Sequence, residues 1–476
     1  MSDPLWDDIL GLSEVPASFK QLAVKTWVET TYVDRDYRDL YYNYYSKKHF
    51  PYARLTPRVH FSRNDSWDED SYLGNIVLYA PEKDHPALRP FKYNIRSEFL
   101  GSEWYRCESE FTVHALGHTY RFPRFPLITQ DAEFTRCAHA AAWSNLTYFS
   151  ERFSSYKHRH PSDIINDIEF FKAERHFPSS GLEIGEMCMI LKRSGMFPKI
   201  YMSEAHKGFY TLLDIYLESG FPLIAGIAKY DKQKKENVSL HAINIFGHNR
   251  ADVSKFNIGK VHVDRKGPYT FKYRDKYLIG DDNLFPYQVM KIDVSGVSYR
   301  IFDRLLTFIV PLPRQVNCLA EVVQEYIEFL DKGGKFPDFD SAAKLLAAKY
   351  GQILFRPFLA TAGGFLENIR KNYEDKNEEY FRQFYKVGLP HFIWVIEITC
   401  ESFLPDSSTF GHIILDATAS CEGGRWSGAL ISWNFGHEMK LQDANRTWLS
   451  KRWTRTDSEV LDQRFPMMRR NLKPIS

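Results

Sequence analysis

The sequence predicts an α+β protein with more than one domain. Its 476 residues exceed the roughly 250–300 residues at which a single hydrophobic core stops growing. Hydrophobic residues make up 44% of the chain and aromatic residues 16%. These fractions indicate a folded protein with β-rich parts, because aromatic rings favour strands and large packed cores. Segments with helical spacing lie between short strand-like runs, so we expect helices and strands in the same chain.

Residues 1–115 predict an N-terminal module in which helix precedes a β-rich part. A stretch rich in tyrosine and charge, residues 19–45, is compatible with helix, and short alternating runs such as 76–79 and 104–113 come after it. Turn-forming clusters separate these runs, as at residues 81–84. That pattern is typical of a small β-rich unit.

Residues 116–312 predict a central α+β domain. Small and apolar residues recur at spacings of three and four over residues 136–153, which predicts a helix. Two further helices are expected at 185–193 and 210–218, because a Ser-Gly pair comes after each and glycine commonly caps a helix C-terminus. The strand-like runs of this domain are 222–228, 240–247, 260–263, 276–279 and 287–294.

Residues 313–476 predict a C-terminal α+β domain. Its helices are expected at 319–330 and 341–349. Its strands are expected at 392–399, 413–416 and 429–433.

Charge and hydropathy argue against several classes of protein. The 62 basic residues nearly balance the 60 acidic ones, whereas nucleic-acid binding normally requires a clustered basic face. No run of 18 uninterrupted apolar residues predicts a membrane span, and the acidic N-terminus does not resemble a secretory signal. We therefore expect a cytoplasmic protein with neither nucleic acid nor membrane as a partner. The cysteines show no metal-type spacing, so neither a metal nor an organic cofactor is expected.

Cys137 is the candidate nucleophile. It comes after the irregular segment 128–133 and begins an alanine-rich helix, and the dipole at a helix N-terminus stabilises a thiolate. Gln130 lies seven residues upstream. Its side-chain amide can reach back to a developing oxyanion beside the backbone N–H of Cys137.

His241 is the candidate base. It begins the apolar run 242–247, 104 residues after the candidate nucleophile, and a histidine at the start of a buried strand can face a cleft. A third group must hold the imidazole in one tautomer. The strand-like run 277–280 ends in Asp281 and Asp282. Asp281 is favoured because it comes first after the strand, and Asp282 stays open as the alternative.

Three segments together resemble a known superfamily. They are the entry from Gln130 to Cys137 with Ala138–Trp143 behind it, the helix end and strand at 218–226, and the histidine strand at 241–248. They resemble the papain-like cysteine peptidase superfamily, most closely its bacterial branch of double-glycine peptidases that process bacteriocin leaders. The likeness covers under half of the chain.

The resemblance implies a papain-like cysteine protease core, in which the helix that carries the nucleophile packs on an antiparallel sheet. It implies a cysteine peptidase that acts on a protein or peptide through a Cys-His-Asp triad and a covalent acyl-enzyme. The chain departs from the family pattern in two places. Arg136 precedes the nucleophile and His139 lies two residues after it, and Asp281-Asp282-Asn283 replaces the usual ending of the third strand.

Two other functions remain open. The same thiol could serve a transglutaminase-like or other acyltransferase, since acyl transfer proceeds through the same acyl-enzyme. A catalytically inactive papain-like scaffold that binds a partner is the other alternative. The sequence does not assign the oligomeric state.

Two histidine-containing segments are weaker candidates. His114 and His118 have i,i+4 spacing, but Gly117 between them favours a strand, a turn and a second strand over a metal-binding helix. His412 and Asp416 faintly resemble the His and Asp strands of transglutaminase-like folds. Residues four apart on one strand lie about 13 Å apart, so we expect that segment to be a core strand.

Overall fold

The computed structural model describes residues 15–23, 25–45, 55–79, 88–170, 179–255, 257–332, 337–373, 384, 388–420, 429–435, 438–442, 448–452 and 464–468. Within these ranges the chain forms nine α-helices and several antiparallel sheets, which confirms the predicted α+β class. No helix in these ranges is long and apolar enough to cross a membrane.

The N-terminal part is built around a five-stranded antiparallel sheet with the strand order β1-β2-β3-β4-β8. Its elements are α1 (Ala17–Leu22), β1 (Lys25–Glu29), α2 (Arg35–Leu40), β2 (Arg58–Ser62), β3 (Tyr72–Tyr79), β4 (Arg89–Ile95), β5 (Trp104–Arg106), β6 (Ser109–Ala115), β7 (His118–Arg124) and β8 (Leu127–Ile128). A single π-helical turn, Tyr41–Tyr45, comes directly after α2.

Two features of this part differ from the sequence pattern. Strand β1 interrupts the stretch 19–45 that we expected to be helical, because residues 25–29 pair along their whole length with β2. The expected boundary after residue 115 falls in the turn of the β6–β7 hairpin, where Ala115 lies opposite His118. That hairpin confirms the strand–turn–strand prediction for His114 and His118. Strand β8, which leads into the candidate site, is the last strand of the N-terminal sheet.

The central part is built on an eight-stranded antiparallel sheet with the order β14-β13-β12-β11-β10-β15-β9, with β5 added against β11. Its elements are α3 (Cys137–Arg152), α4 (Pro161–Glu169), α5 (Ile184–Arg193), β9 (Met196–Met202), α6 (Phe209–Glu218), β10 (Leu223–Asp231), β11 (Glu236–Asn249), β12 (Lys276–Gly280), β13 (Gln288–Asp293), β14 (Gly296–Ser298) and β15 (Arg304–Pro313). The three helices expected at 136–153, 185–193 and 210–218 are confirmed.

The strand expected at residues 260–263 is wrong. Two short 3-10 helices, Ile258–Lys260 and Val263–Arg265, occupy this region. The reason is tertiary: the buried Arg265 donates from Nε to Asp214 Oδ2 of α6 at 2.8 Å. This ion pair draws the segment onto the helix and away from the edge of a sheet.

Helix α3 lies against the central sheet and is held there by polar side chains as well as by packing. Asn244 of β11 donates to the carbonyl of Ala141 at 3.1 Å, and Asn145 donates to the carbonyl of Pro222 at 2.7 Å. Both amides are buried, and buried polar groups require such partners. The small alanine side chains on α3 let its backbone approach β11 closely enough for the first of these bonds.

The C-terminal part carries a six-stranded antiparallel sheet with the order β16-β17-β19-β20-β21-β22. Its elements are α7 (Ala320–Asp331), α8 (Pro337–Tyr350), β16 (Ile353–Thr361), α9 (Ala362–Tyr373), β17 (Phe392–Cys400), β18 (Ser408–Thr409), β19 (Gly411–Asp416), β20 (Leu430–Phe435), β21 (Glu438–Gln442), β22 (Trp448–Arg452) and β23 (Phe465–Pro466). The expected helices and strands of this part are confirmed.

A buried charge network joins the central and C-terminal parts at the end of α6. Glu218 accepts from Arg356 Nε at 2.6 Å, forms an ion pair with Arg274, and lies 3.1 Å from His248 Nε2. Arg356 also donates to Glu397 of β17 at 2.6 Å. One continuous apolar core includes residues of all three parts of the chain, and the strand that carries His241 contributes to it.

Candidate active site

Cys137 is the first residue of α3, and the segment before it is shaped by one aspartate. The Oδ1 atom of Asp131 accepts hydrogen bonds from the backbone N–H groups of Glu133, Phe134 and Thr135, each at 2.8 Å. The backbone N–H of Asp131 in turn donates to Thr135 Oγ1 at 3.0 Å. This compact turn connects β8 to the start of α3.

The residues on either side of Cys137 fix the helix N-terminus. Arg136 donates from Nε to the carbonyl of Ser179 at 2.7 Å, and its backbone N–H donates to His139 Nδ1 at 3.2 Å. His139 is therefore a helix cap. The first N–H groups of an α-helix lack partners within the helix and carry partial positive charge. The partly exposed thiol thus lies at the positive end of the α3 dipole.

His241 lies in β11, and its ring has a carboxylate and a thiol as neighbours. Nε2 lies 2.9 Å from Asp281 Oδ1. The side chain of Cys137 is a second hydrogen-bonding neighbour of the ring and contributes to its raised pKa. Only 9% of the His241 side chain is exposed. The fold thus brings together a thiol, an imidazole and a carboxylate that are far apart in the sequence.

The ionisation of His241 reflects these neighbours. Burial lowers the pKa of the imidazole, but the hydrogen bonds to Asp281 and Cys137, together with the charges of Asp281 and Asp282, outweigh burial and raise the pKa to about 10. The imidazolium form is therefore stable at neutral pH. An imidazolium beside a thiol favours a thiolate–imidazolium pair.

Asp281 makes the closer contact with His241, and its environment favours the charged carboxylate. Burial raises its pKa, but the hydrogen bond and charge of His241 and the donors Asn283 and Tyr299 lower it further than burial raises it. The backbone N–H of Asn283 donates to Oδ1 at 3.0 Å, and the Tyr299 hydroxyl donates to Oδ2 at 2.8 Å. Asp281 is thus oriented on both oxygens to hold one tautomer of His241.

Asp282 is close to His241 but is held differently. Its Oδ1 atom lies 3.6 Å from His241 Nε2 and its side chain is 2% exposed. Neither of its carboxylate oxygens has a hydrogen-bond partner of normal geometry in the described part of the chain. Burial and the charge of Asp281 raise its pKa to about 7 against the opposing charge of His241, and the backbone N–H groups of Asp282 and Gln130 offset this shift only in part.

Gln130 reaches the same cluster from the other side. Its Nε2 donates to Asn283 Oδ1 at 3.0 Å, and Asn283 itself contacts Asp281. A side-chain amide has two N–H donors, so one N–H of Gln130 remains for a second acceptor. The side chain therefore lies beside the third-group aspartates and is bonded to Asn283, and the predicted role of Gln130 as an oxyanion donor stays a prediction.

The turn between β14 and β15, which covers the histidine, was missed by the sequence patterns. Tyr299 and Phe302 exchange backbone hydrogen bonds of 3.1 and 2.8 Å, with Arg300 at a positive φ of 52° between them. Phe302 stacks on the His241 ring with centroids 5.7 Å apart, and Tyr299 holds Asp281. The spacing of two aromatics around a two-residue tip indicates a hairpin, but nothing in the sequence places that hairpin at His241.

The weaker candidates lie away from this cluster. His412 is buried between Phe365 and Phe384, and burial lowers its pKa to about 3. Asp416 accepts from the backbone and hydroxyl of Thr418 at a turn. This segment is a core strand, as predicted. Among the other cysteines of the sequence, Cys421 lies outside the described residues.

Replacing Asp282 with asparagine tests how costly its buried charge is. The pKa of Asp282 rises on folding from 3.8 to about 7. Its carboxyl group therefore does not destabilise the folded protein below pH 4. The destabilisation increases from pH 4 to 7 and is constant above pH 7. At pH 8 we expect the free energy of unfolding of Asp282→Asn, measured in urea, to exceed that of wild type by roughly 1–4 kcal/mol, since one pKa unit corresponds to about 1.4 kcal/mol. At pH 4 we expect the two proteins to be equally stable.

Asp281→Asn is the matched control for this measurement. The pKa of Asp281 is lowered on folding, so its charge stabilises the protein above pH 4 and this stabilisation disappears as the pH falls through its folded pKa. We expect this variant to lose stability at pH 8. An Asp282→Asn variant that also loses stability at pH 8 would contradict the assignment of a penalty to Asp282.

No protein-family model matches the chain, and no curated protein matches its sequence. A functional proposal for this protein therefore rests on the geometry of Cys137, His241 and Asp281.

Proposed function

We propose that this protein is a cysteine hydrolase with a papain-like core, acting as a peptidase on protein or peptide substrates. The observation that carries the proposal is the position of His241 between the Asp281 carboxylate, 2.9 Å from its Nε2, and the Cys137 side chain at the start of α3. A nucleophilic thiol requires a base beside it and a third group that orients the base.

The proposed chemistry assigns one role to each group. The Cys137 thiolate attacks the substrate carbonyl, and His241 carries the proton that the thiol has lost. Asp281 holds the imidazole with Nε2 toward the carboxylate and Nδ1 toward the sulfur. The backbone N–H of Cys137 and the amide of Gln130 donate to the oxyanion of the tetrahedral intermediate.

Collapse of that intermediate breaks the bond to the leaving group. His241 gives its proton to the departing amine, and the acyl group remains on Cys137 as a thioester. Water then attacks the thioester with His241 as general base, and the carboxylate product leaves. Every proton in this cycle passes through His241, so no cofactor takes part in the scheme.

Trapping the acyl-enzyme tests the proposal. We expect an activated acyl ester to acylate the full-length protein rapidly at Cys137, with a burst of one leaving group per chain before slower turnover. Intact-mass and peptide mass spectrometry locate the acyl group. Acylation at another residue, or no burst above the rate of a free thiol in solution, would contradict the proposal.

The fate of the acyl group separates hydrolysis from transfer. We expect the free acid to dominate the products even when a small primary amine is added during turnover. A product mixture dominated by the amide would identify an acyltransferase that uses the same thiol.

A further inference from the structure

Three potential metal ligands meet at one point beside the thiol. His241, Asp281 and Asp282 each offer one ligand atom, and these three atoms lie within 4.8 Å of one another. The imidazole nitrogen is 2.9 Å from Asp281 and 3.6 Å from Asp282. Zinc binds nitrogen and oxygen ligands at about 2.0–2.1 Å in tetrahedral sites, which places neighbouring ligand atoms about 3.3 Å apart. The distance from the imidazole nitrogen to Asp281 is shorter than that value, and the distance to Asp282 is longer.

Asp282 provides a second, independent observation. Its side chain is 2% exposed, and its two oxygens have no hydrogen-bond partner of normal geometry among the described residues. Buried carboxylates are ordinarily paired, hydrogen-bonded or bound to a metal. The Asp282 carboxylate points at His241 and Asp281, and the triad scheme gives it no function.

We propose that His241, Asp281 and Asp282 bind a divalent transition-metal cation such as Zn²⁺, and that this binding reversibly inactivates Cys137. A set of one imidazole and two carboxylates suits zinc and its neighbours in the first transition row. The metal-binding part stands on these three residues alone. The inactivation part rests on the proposed function.

The contacts around His241 and Asp281 fit metal ligation. A ligating histidine normally uses its second nitrogen for a hydrogen bond that fixes its orientation, and a ligating carboxylate is itself hydrogen-bonded. Here the side chain of Cys137 is the second hydrogen-bonding neighbour of the His241 ring. The free oxygen of Asp281 accepts from Tyr299 at 2.8 Å. Asn283, which is exposed, marks the side from which an ion can enter.

Metal binding and catalysis exclude one another by proton balance. The cation displaces the proton from His241 Nε2, and the ring then keeps its remaining proton on Nδ1, facing the sulfur. Both ring nitrogens are then occupied, so the ring has no free nitrogen to accept the proton of the water that attacks the thioester. Binding releases protons, so the affinity for the cation falls as the pH decreases.

A second His–Asp cluster, Asp36 with His158 and His160, meets the same distance criterion but carries its own cations. Lys92 forms an ion pair with Asp36, and Arg35 hydrogen-bonds to His158 Nδ1 at 3.2 Å. These positive charges already neutralise the carboxylate and repel a divalent ion. The cluster therefore provides a control.

Zinc titration of the metal-free, full-length protein in competition with a chromophoric chelator tests the binding. We expect one tight Zn²⁺ per wild-type chain. Asp282→Asn, which keeps the shape of the side chain and removes its charge, should bind zinc roughly tenfold or more weakly. His160→Gln should bind like wild type.

Cys137→Ala decides which atoms hold the ion. Unchanged zinc affinity in this variant supports the three-ligand site. Loss of affinity would mean that the ion bridges the thiol and the imidazole, which overturns the proposal. Equal affinity in wild type and Asp282→Asn, or loss of affinity in His160→Gln, overturns it as well.

Hydrolysis and alkylation together separate this proposal from the proposed function. We expect zinc to slow steady-state hydrolysis of the activated acyl ester by wild type and to leave the rate of Asp282→Asn nearly unchanged at the same concentration. Equal slowing in both proteins would overturn inactivation through Asp282. A Cys137 that labels no faster than an ordinary thiol without zinc would contradict the triad, while the zinc titration would still report on the metal site.

Discussion

Cys137→Ala is expected to abolish turnover of an activated acyl ester, lowering the rate by roughly a thousandfold or more. The sulfur is the only protein atom that forms a covalent bond to the substrate in the proposed cycle. Alanine leaves the backbone of the helix N-terminus unchanged. Steady-state hydrolysis and the pre-steady-state burst measure the effect.

Cys188→Ala is the control for that substitution. Cys188 is buried in α5, and burial raises the pKa of its thiol, so it is expected to be unreactive. This variant should retain the burst. Activity that survives Cys137→Ala, or that disappears with Cys188→Ala while the fold is intact, would contradict the assignment of the nucleophile.

His241→Gln is expected to lower turnover by roughly 10²- to 10⁴-fold. Glutamine can hydrogen-bond to Asp281 but can neither carry a proton nor stabilise a neighbouring thiolate. Because the pKa of His241 is raised to about 10, the imidazolium persists throughout the acid and neutral range.

The pH dependence of alkylation shows the same effect without a substrate. At pH 6.5 the wild-type thiol should react with iodoacetamide roughly tenfold or more faster than the thiol of His241→Gln, because a low-pH thiolate needs the imidazolium. This advantage should disappear as the pH rises through about 10, where His241 loses its proton. Parallel pH profiles for the two proteins would refute the ion pair.

His248→Gln is the matched control on the same strand. His248 is buried in the Glu218 network, near the C-terminal end of β11 and seven residues beyond His241. A loss of reactivity in this variant equal to that of His241→Gln would assign both effects to damage of the strand.

Local patterns were sufficient for much of the fold. The spacing of small and apolar residues predicted α3, which begins at Cys137 itself, and the mainly apolar run around Ile243 predicted the core of β11. Those patterns arise because side chains on one face of a helix recur every three to four residues and those on one face of a strand recur every two. They failed at residues 260–263, where the ion pair between Arg265 and Asp214 determines the conformation, and at β1, where pairing with β2 does.

The sequence favoured Asp281 over Asp282 only because Asp281 comes first after the strand, and it left Asp282 open. Asp281 and Asp282 are adjacent and come after the same strand, so their sequence environments are nearly identical. In the structure Asp281 lies 2.9 Å from His241 Nε2 and also receives a hydrogen bond from Tyr299, whereas Asp282 lies 3.6 Å away without a hydrogen bond of normal geometry. The difference arises from the β14–β15 turn, which comes from another part of the chain.

The sequence by itself therefore determined the local positions of the reactive groups: a thiol at the start of a helix, an imidazole at the start of an apolar strand-like run, and two acids at the end of a later strand. Each of these positions results from periodicity and capping, which depend on neighbours a few residues away. The tertiary structure alone decided which acid holds the imidazole, that Phe302 covers it, and that Asp282 is left buried without a normal hydrogen bond. These features depend on contacts between distant segments, and the energy of a buried charge is set by the groups that surround it in space.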